Sequence, residues 1–225
     1  MLHVLLADAE LELVPESIAS HPSVSINAKK RNKKATRVLL DSNLHHAAME
    51  KLEMGERRGR PDLVHFFLLL ALDSVLNQNA KLRVYVHTRN NELILIDPQT
   101  RLPRNYPRFV GLIESLFNNG VVPSKELPLL KLQSGFTYEK CVSYIPHSKI
   151  VVFSPTGKNV KLREYFKGVD EQVELLCVIG GFPDGDFLSD VYKGADDVIS
   201  ISPHMLTVWT VLSELLVNYE NAIGL

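Results

Sequence analysis

The chain has 225 residues, of which 45% are hydrophobic and 23% are charged, and its formal net charge is -1. This length is enough for one good-sized core, or for a core with an added lobe. The longest apolar run, Phe66 to Leu72, is far too short to cross a bilayer, and the N-terminus lacks a signal-peptide pattern. We therefore expect a soluble, cytoplasmic protein with no membrane partner.

The residue types that hold metals are sparse and separated. Cys141 and Cys177 lie far apart in apolar surroundings, as is typical of small core residues in a reducing compartment. The paired His45 and His46 have no third ligand nearby at a metal spacing. No metal site and no disulfide are predicted.

Charge is distributed unevenly along the chain. Residues 1–113 carry 16 lysines and arginines against 12 acidic residues, whereas residues 114–225 carry 9 against 14. Of the arginines, only Arg163 lies in the second half. Because guanidinium groups bind phosphates and base edges, this asymmetry points to an anionic partner for the first half. The alternative is a solvated basic surface.

The first fifty residues predict two strands, a basic arm and a helix. The apolar run His3 to Ala7 indicates an opening strand. Six cations crowd into Lys29 to Arg37. Because such a run repels itself, we expect it not to be ordered alone and to form an arm that contacts phosphates. A strand over Val38 to Asp41 and a helix over Leu44 to Leu52 are predicted to follow.

A second arginine-rich segment leads into a helix predicted from about Asp62 to Gln78. Pro61 disfavours helical geometry for the preceding residue, so Arg60 is presented from an extended turn. Asp62 is favoured in the first turn by the helix dipole. Two roles remain open for it: a helix-start residue only, or a partner that holds the Arg60 guanidinium in one orientation.

The loop over residues 101–108 combines three arginines with a tyrosine and two prolines. It contains Arg101, Arg104 and Arg108 and precedes a helix predicted over Pro107 to Asn118. Such a loop suits unpaired RNA, because guanidinium groups bind phosphates and the Tyr106 ring offers a surface for stacking. The alternative is a proline-stiffened surface loop.

The middle of the chain predicts a β-hairpin and three further short elements. The hairpin joins Leu82–His87 to Glu92–Ile96, and the later elements are strands near Leu129–Leu132 and Ile150–Phe153 and a helix over Lys161–Lys167. The residues that follow Phe153 read SPTGK, which lacks the first glycine and the final hydroxyl residue of a P-loop. ATP hydrolysis is therefore not predicted.

The last quarter of the chain begins with a strand, Leu175–Ile179, whose apolar residues indicate burial on both faces. Its glycine-rich continuation places Phe182 where a G-x-G-x-x-G motif needs its second glycine, so a dinucleotide fold is not supported. A β-branched strand follows over residues 198–201. Ser202 and Pro203 then predict the N-cap and the first residue of an amphipathic helix.

Four motifs together resemble one family, the Nep/Emg ribosome-biogenesis proteins of the SPOUT superfamily of methyltransferases. They are RRGRPD at 57–62, RLPRNYPRF at 101–109, IGGFPDGDF at 179–187 and ISIS at 199–202. Each motif is weak alone, whereas the ordered set is specific. The lack of a long N-terminal extension is expected of a compact prokaryotic or archaeal member.

This resemblance implies an α/β fold with a SPOUT-type, mostly parallel sheet and a C-terminal trefoil knot. It implies one domain over 1–225 with a hairpin insertion near 82–105, assembled as a homodimer. The implied activity is S-adenosylmethionine-dependent methylation of N1 of a pseudouridine in small-subunit ribosomal RNA. A role in assembly of that subunit is also implied, with other assembly factors or ribosomal proteins as further partners.

The resemblance also implies which residues form the site. The cofactor is expected at Thr156, Gly180, Gly185, Ile201, Ser202, Pro203, His204, Met205 and Leu206. RNA is expected at Arg60, Asp62, Arg101, Arg104 and Arg108, and catalysis at Asp62 and Arg60.

Asp62 has two possible roles in such a reaction. S-adenosylmethionine carries its own electrophile, so the protein mainly binds, aligns and excludes water, but the acceptor nitrogen must lose a proton. Asp62 is either the base or a brace for Arg60, whose charge would favour the deprotonated acceptor. The target base would have to leave its stack, which suits an RNA loop.

Two other functions fit the same motifs. One is a non-enzymatic RNA-binding assembly factor, or RNA chaperone, and the other is a SPOUT methyltransferase that acts on transfer RNA.

Overall fold

The computed structural model describes residues 1–170 and 172–225, and one eight-stranded sheet forms the centre of that part of the chain. The strands are β1 (Leu2–Ala9), β2 (Leu82–Thr88), β3 (Glu92–Ile96), β4 (Val121–Pro123), β5 (Pro128–Ser134), β6 (Lys149–Asn159), β7 (Leu175–Gly180) and β8 (Asp197–Ser200). The helices are α1 (Pro22–Lys30), α2 (Ser42–Met49), α3 (Pro61–Leu72), α4 (Val75–Gln78), α5 (Tyr106–Asn119), α6 (Tyr138–Tyr144), α7 (Leu162–Tyr165) and α8 (Val208–Ala222).

The sheet is parallel through its centre and antiparallel at one end. Its order is β4-β5-β3-β2-β1-β7-β6-β8. The five strands β2, β1, β7, β6 and β8 pair in parallel with their neighbours. Beyond β2, the strands β3, β5 and β4 form antiparallel pairs. The mostly parallel α/β fold is thus confirmed. The predicted hairpin is present as β2 and β3, and its first strand belongs to the parallel centre of the sheet.

Both faces of the sheet are covered. Every residue of β1 is buried, and alternate side chains enter different cores, as strand geometry requires. Val4 and Leu6 join the core that contains residues of α3, α5 and α8, while Leu5 and Ala7 join the core that contains residues of α6. The apolar run at the start of the chain is therefore a central strand.

The basic run over residues 29–37 is a structured segment rather than a free arm, and contacts with a distant part of the chain hold it in place. It contains the end of α1 and a 3-10 turn over Ala35–Arg37. Arg31 and Lys33 both pair with the buried carboxylate of Glu114 on α5. This carboxylate offsets part of the repulsion between the cations and holds the segment against the helix.

The strand predicted over Val38–Asp41 is reduced to one β-bridge, between Leu39 and Leu13. Asp41 accepts a hydrogen bond from the backbone N–H of Asn43 at 2.9 Å and so caps α2. Because the cap turns the chain into a helix, no strand extends through residue 41.

Two helices differ most from the prediction. The helix predicted from Asp62 to Gln78 is split, because the Ser74 hydroxyl accepts from the N–H of Asn77 and starts α4 as a new helix. The final helix begins at Val208 rather than at Pro203. The Ser202 hydroxyl instead accepts from the N–H of His204 at 3.0 Å, which forms a local turn.

Cys141 and Cys177 are free and buried, as predicted. Burial raises the pKa of the Cys141 thiol to about 12 and also raises that of Cys177, which disfavours a reactive thiolate at either position. No helix among the described residues is long and apolar enough to cross a membrane.

Candidate active site

A cleft lies where the carboxyl ends of β6, β7 and β8 meet. Parallel strands bring these ends to one edge of the sheet, which is the usual place for a ligand in an open α/β fold. The walls are largely apolar and include Phe153, Ile179, Phe182, Phe187, Ile199 and Val208. The cleft also borders Asp186 and the polypeptide from residue 199 to residue 202.

Most residues predicted to hold the cofactor lie around this cleft. The lining includes Gly180, Gly185, Ile201, Ser202, His204, Met205 and Leu206. Thr156 and Pro203 are exposed and are outside the lining, although the Thr156 hydroxyl lies 2.9 Å from that of Ser154, which does line the cleft. The turn at residues 202–206 has replaced the predicted first turn of α8, and it brings backbone groups to the cleft instead.

Two glycines allow the backbone to pass close to the cleft. A Cβ at residue 180 would lie 2.7 Å from the Phe182 ring. Gly185 has a φ of +83° and lies beside the Arg57 guanidinium, where an added Cβ would approach Nη1 to 3.3 Å. A larger residue at either position would displace the aromatic wall or strain the turn.

Arg57 ties this glycine turn to the sheet. Its Nη1 donates to the Asp186 carbonyl at 2.9 Å, and its guanidinium carbon lies 4.3 Å from the centre of the Phe182 ring. Its Nε donates to Glu10 at 2.7 Å, and Arg89 donates to the other oxygen of the same carboxylate at 2.5 Å. Burial raises the pKa of Glu10, although the two arginines oppose this effect.

A second acid–arginine pair lies next to the first. Glu12 accepts two hydrogen bonds from Arg58, each at 2.7 Å. The pKa of Arg58 is raised by this pairing. The segment from residue 57 to residue 60 is thus fixed on one side by two buried carboxylates at the end of β1.

Asp8 is a further carboxylate at the same edge of the sheet. It accepts from the backbone N–H groups of Leu188 and Ser189, at 2.7 and 2.9 Å, and from the Ser189 hydroxyl at 2.7 Å. Burial would raise its pKa, but hydrogen bonds from His87 and Ser189 outweigh burial and lower the pKa. Asp8 therefore anchors the chain that follows Phe187, a wall of the cleft.

Arg60 and Asp62 form the predicted pair. Nε and Nη2 of Arg60 donate to the two oxygens of Asp62 at 2.9 and 2.8 Å, and this pairing raises the pKa of Arg60. Both side chains are about one quarter exposed. The backbone N–H of Arg60 donates to the Glu10 carbonyl at 2.8 Å, so the pair is attached to the same strand end as Arg57.

The arginine loop presents three cations to solvent. Arg101, Arg104 and Arg108 are exposed, and no side-chain hydrogen bond or ion pair engages them among the described residues. His65 Nε2 lies 2.8 Å from the Pro103 carbonyl and fixes the loop to α3. Tyr106 is half-buried and donates its hydroxyl to Asp41 at 2.7 Å, so the ring predicted as a stacking surface is held in place by the fold.

The described residues contain no group of three or more side chains suited to hold a metal ion. Sequence reasoning missed Asp8, Glu10, Glu12 and Arg57 as parts of the site. The sequence pattern that could have identified them is the alternation of carboxylates at residues 8, 10 and 12, at the end of the first apolar strand. Carboxylates in that position lie at the carboxyl edge of a parallel sheet, where ligands bind.

Comparison with known proteins gives matches over almost the whole chain. The model of the EMG1/NEP1 methyltransferase family matches residues 4–220. The ribosomal RNA small subunit methyltransferase Nep1 of Methanothrix thermoacetophila is 57% identical over 98% of this chain and 96% of its own length. Its counterpart in Pyrococcus furiosus is 48% identical over 97% of this chain and 96% of its own length.

A solved structure agrees with these sequence matches. The crystal structure of Archaeoglobus fulgidus Nep1 bound to S-adenosylhomocysteine has a TM-score of 0.87 and 36% identity, and the match covers 99% of both chains. The resemblance first seen in four separate motifs is therefore confirmed. This chain belongs to the EMG1/NEP1 methyltransferase family.

Proposed function

We propose that this protein is an S-adenosylmethionine-dependent methyltransferase that modifies small-subunit ribosomal RNA. The observation that carries this function is the arrangement at one sheet edge. An apolar cleft lies at the ends of β6, β7 and β8, and the segment from Arg57 to Asp62 extends from that cleft toward solvent. The names of the relatives support the same substrate class.

The residues of the cleft fit S-adenosylmethionine. Flat apolar walls suit an adenine ring, and the backbone of residues 199–202 can supply its hydrogen bonds. The Asp186 carboxylate complements the positive charge of the donor. Gly180, Gly185 and residues 201–206 would hold the cofactor, with Thr156 acting at the rim. When bound, the cofactor supplies a methyl group on an electrophilic sulfonium.

The acceptor in this proposal is N1 of a pseudouridine, which must lose a proton during transfer. Arg60 already occupies both oxygens of Asp62, so the carboxylate is better placed to hold the guanidinium than to collect a proton. Arg60, held in this way, would place its positive charge beside the acceptor and stabilise its deprotonated form. Asp62 is therefore assigned the bracing role, and Arg60 the electrostatic one.

Arg101, Arg104 and Arg108 bind the RNA loop in this proposal. Their exposure and lack of partners leave their donors available for phosphates and base edges. His65 holds the loop through Pro103, which reduces the entropy that the loop would lose on binding.

A homodimer with a C-terminal trefoil knot completes the proposed architecture. Phe66 is 53% exposed, and its ring lies 5.3 Å from that of Trp209, so α3 and α8 present an apolar surface that a second copy could cover. The order β7-β6-β8, with the earliest strand between the two later ones, is compatible with a knot. A molar mass equal to the 25.3 kDa of one chain, measured by light scattering in solution, would contradict the dimer.

The activity is tested with two matched RNA hairpins, one with pseudouridine and one with uridine in the loop. Each is incubated with protein and S-adenosylmethionine, and mass spectrometry records the added methyl group. Methylation of the pseudouridine hairpin alone is expected. Methylation of both, or of neither, would contradict the proposed acceptor. If calorimetry detects no saturable cofactor binding, the protein is better described as an RNA-binding assembly factor. If the protein methylates transfer RNA in preference to the hairpin, its substrate is transfer RNA.

The role of Asp62 is tested with the Asp62→Asn variant, which keeps the side-chain shape and removes the charge. Arg60 is also an RNA contact in this proposal, so loss of bracing should weaken RNA binding about tenfold, because a charge-assisted hydrogen bond contributes about 1.5 kcal/mol. The single-turnover rate at saturating RNA should fall less than the affinity. A lost rate with unchanged RNA affinity would instead identify Asp62 as the base.

A further inference from the structure

A basic segment that the proposed active site does not use lies on the surface formed by α1 and α5. Residues 17–40 contain six cations and no carboxylate. The cations are Lys29, Lys30, Arg31, Lys33, Lys34 and Arg37. Such an unbalanced run is unfavourable in a folded protein unless something offsets its charge.

Two of the six cations fasten the segment to α5. Arg31 donates to both oxygens of Glu114, at 2.7 and 2.5 Å, and Lys33 donates to Glu114 at 2.5 Å. The same carboxylate accepts from the Leu39 N–H at 3.0 Å, and Asn118 donates to the Arg37 carbonyl at 3.3 Å. Glu114 is only 1% exposed, so the segment has a rigid internal anchor.

The other four cations differ from Arg31 and Lys33 in their surroundings. Lys29, Lys30, Lys34 and Arg37 are exposed, and none of them pairs with a carboxylate among the described residues. We call these four residues the basic ridge. Glu114 fixes the backbone of the nine-residue segment that carries all four, so their charges stay on one ordered segment despite their repulsion. Such a concentration of positive charge favours binding of a polyanion.

The ridge lies along the helix that starts at the arginine loop. Tyr106, in the first turn of α5, bonds Asp41 near the Arg60–Asp62 pair. Glu114 is eight residues further along, which corresponds to about 12 Å of α-helix. The ridge therefore flanks the proposed RNA site, at a distance that an RNA strand crosses within a few nucleotides.

We infer that the basic ridge is a docking surface for the phosphate backbone of the RNA helix that flanks the target loop. This inference rests on the proposed function, because it extends the RNA surface of that site. Lysines bind phosphates as point charges without reading bases, so the ridge would contribute affinity and orientation while the arginine loop holds the unpaired nucleotides.

The test compares two fourfold variants that carry the same change in charge. The ridge variant combines Lys29→Gln, Lys30→Gln, Lys34→Gln and Arg37→Gln. The control combines Lys131→Gln, Lys167→Gln, Lys193→Gln and Arg163→Gln, all at exposed positions in the acidic half of the chain. Both leave Arg31, Lys33 and Glu114 in place, and circular dichroism with S-adenosylhomocysteine titration verifies that each variant is folded.

Binding is measured at several salt concentrations, with a stem-loop RNA and with the loop sequence as an isolated oligonucleotide. Each contact with a duplex phosphate steepens the plot of the logarithm of the binding constant against the logarithm of the salt concentration by about 0.9. For the stem-loop, the slope of the ridge variant should therefore be shallower than that of the wild type by about 3 to 4. Its stem-loop affinity in about 0.1 M salt should fall at least 30-fold. The control should match the wild type, and the isolated loop should bind all three proteins alike.

Equal salt slopes for the ridge variant and the control would overturn the inference, as would an equal loss for the isolated loop. A lipid surface would be the partner instead if the wild type bound phosphatidylserine vesicles and the ridge variant did not, while both bound the stem-loop with the same affinity. Failure of the proposed function is distinguishable, because it would appear as stem-loop binding by the wild type without methyl transfer.

Discussion

Replacement of Arg57 by lysine tests whether the cofactor cleft depends on a side chain outside its lining. Arg57 makes three contacts at once, with Glu10, with the Asp186 carbonyl and with the face of Phe182. A lysine keeps the charge but is a single point donor, so it can replace the bond to Glu10 or the contacts with the glycine turn, and not both.

The expected effect follows from the contacts that the turn loses. A hydrogen bond from a charged donor contributes about 1.5 kcal/mol or more, and a desolvated cation–π contact contributes up to about 2 kcal/mol. Because Arg57 is only 8% exposed, solvent does not replace these contacts. The lysine variant can therefore lose about 3 kcal/mol of the interaction energy that holds the glycine turn. If half of this restraint is needed to preorganise the cleft, S-adenosylhomocysteine should bind about tenfold more weakly.

Arg58→Lys is the matched control for this experiment. Arg58 makes a similar bidentate pair with Glu12, at 12% side-chain exposure, but its hydrogen bonds do not reach residues of the cleft. Calorimetric titration with S-adenosylhomocysteine should therefore separate Arg57→Lys from Arg58→Lys, even if urea unfolding shows that both lose stability. Equal cofactor affinity for the two variants would refute the proposed role of Arg57.

Two further predictions concern stability. Glu114→Gln should reduce the free energy of unfolding by about 2 kcal/mol in urea titrations, because Arg31 and Lys33 lose their shared carboxylate. The loss is limited because the two cations are 28% and 38% exposed and keep contact with water. An unchanged urea midpoint would contradict the anchoring role of Glu114. Burial lowers the pKa of His45, so its stabilising contribution is present above the unfolded value near 6.5 and is lost as pH falls through the folded value. His45→Gln should therefore flatten the decline in stability that begins below about pH 6.5, by up to about 1.4 kcal/mol per pH unit. Parallel pH profiles of the two proteins would contradict this contribution of His45.

Elements with a strong local pattern were predictable. The β2–β3 hairpin follows from alternating residues around a polar turn, and the buried strand β7 follows from its uninterrupted apolar run. The pairing of Arg60 with Asp62 was also accessible, because Pro61 restricts the residue before it and keeps both side chains near the start of α3.

Elements that depend on distant partners were not predictable. The basic run at residues 29–37 is structured because it meets Glu114, which lies about eighty residues away in the chain. The final helix starts at Val208 because Ser202 closes a local turn with His204, a competition that helix-capping rules alone do not resolve. The hydrogen bond from the Tyr106 hydroxyl to Asp41 likewise joins residues that are 65 positions apart in the chain.

The sequence by itself determined the α/β class, the position of the central apolar strands, the charge asymmetry and the set of motifs that identifies the family. These features are local, since periodicity and composition act over a few residues. Only the tertiary structure decided that Asp8, Glu10 and Arg57 support the walls of the apolar cleft, and that four cations near α5 remain exposed without acidic partners. The reason is physical: whether a buried charge is paired depends on which distant strand ends and helices the fold brings together.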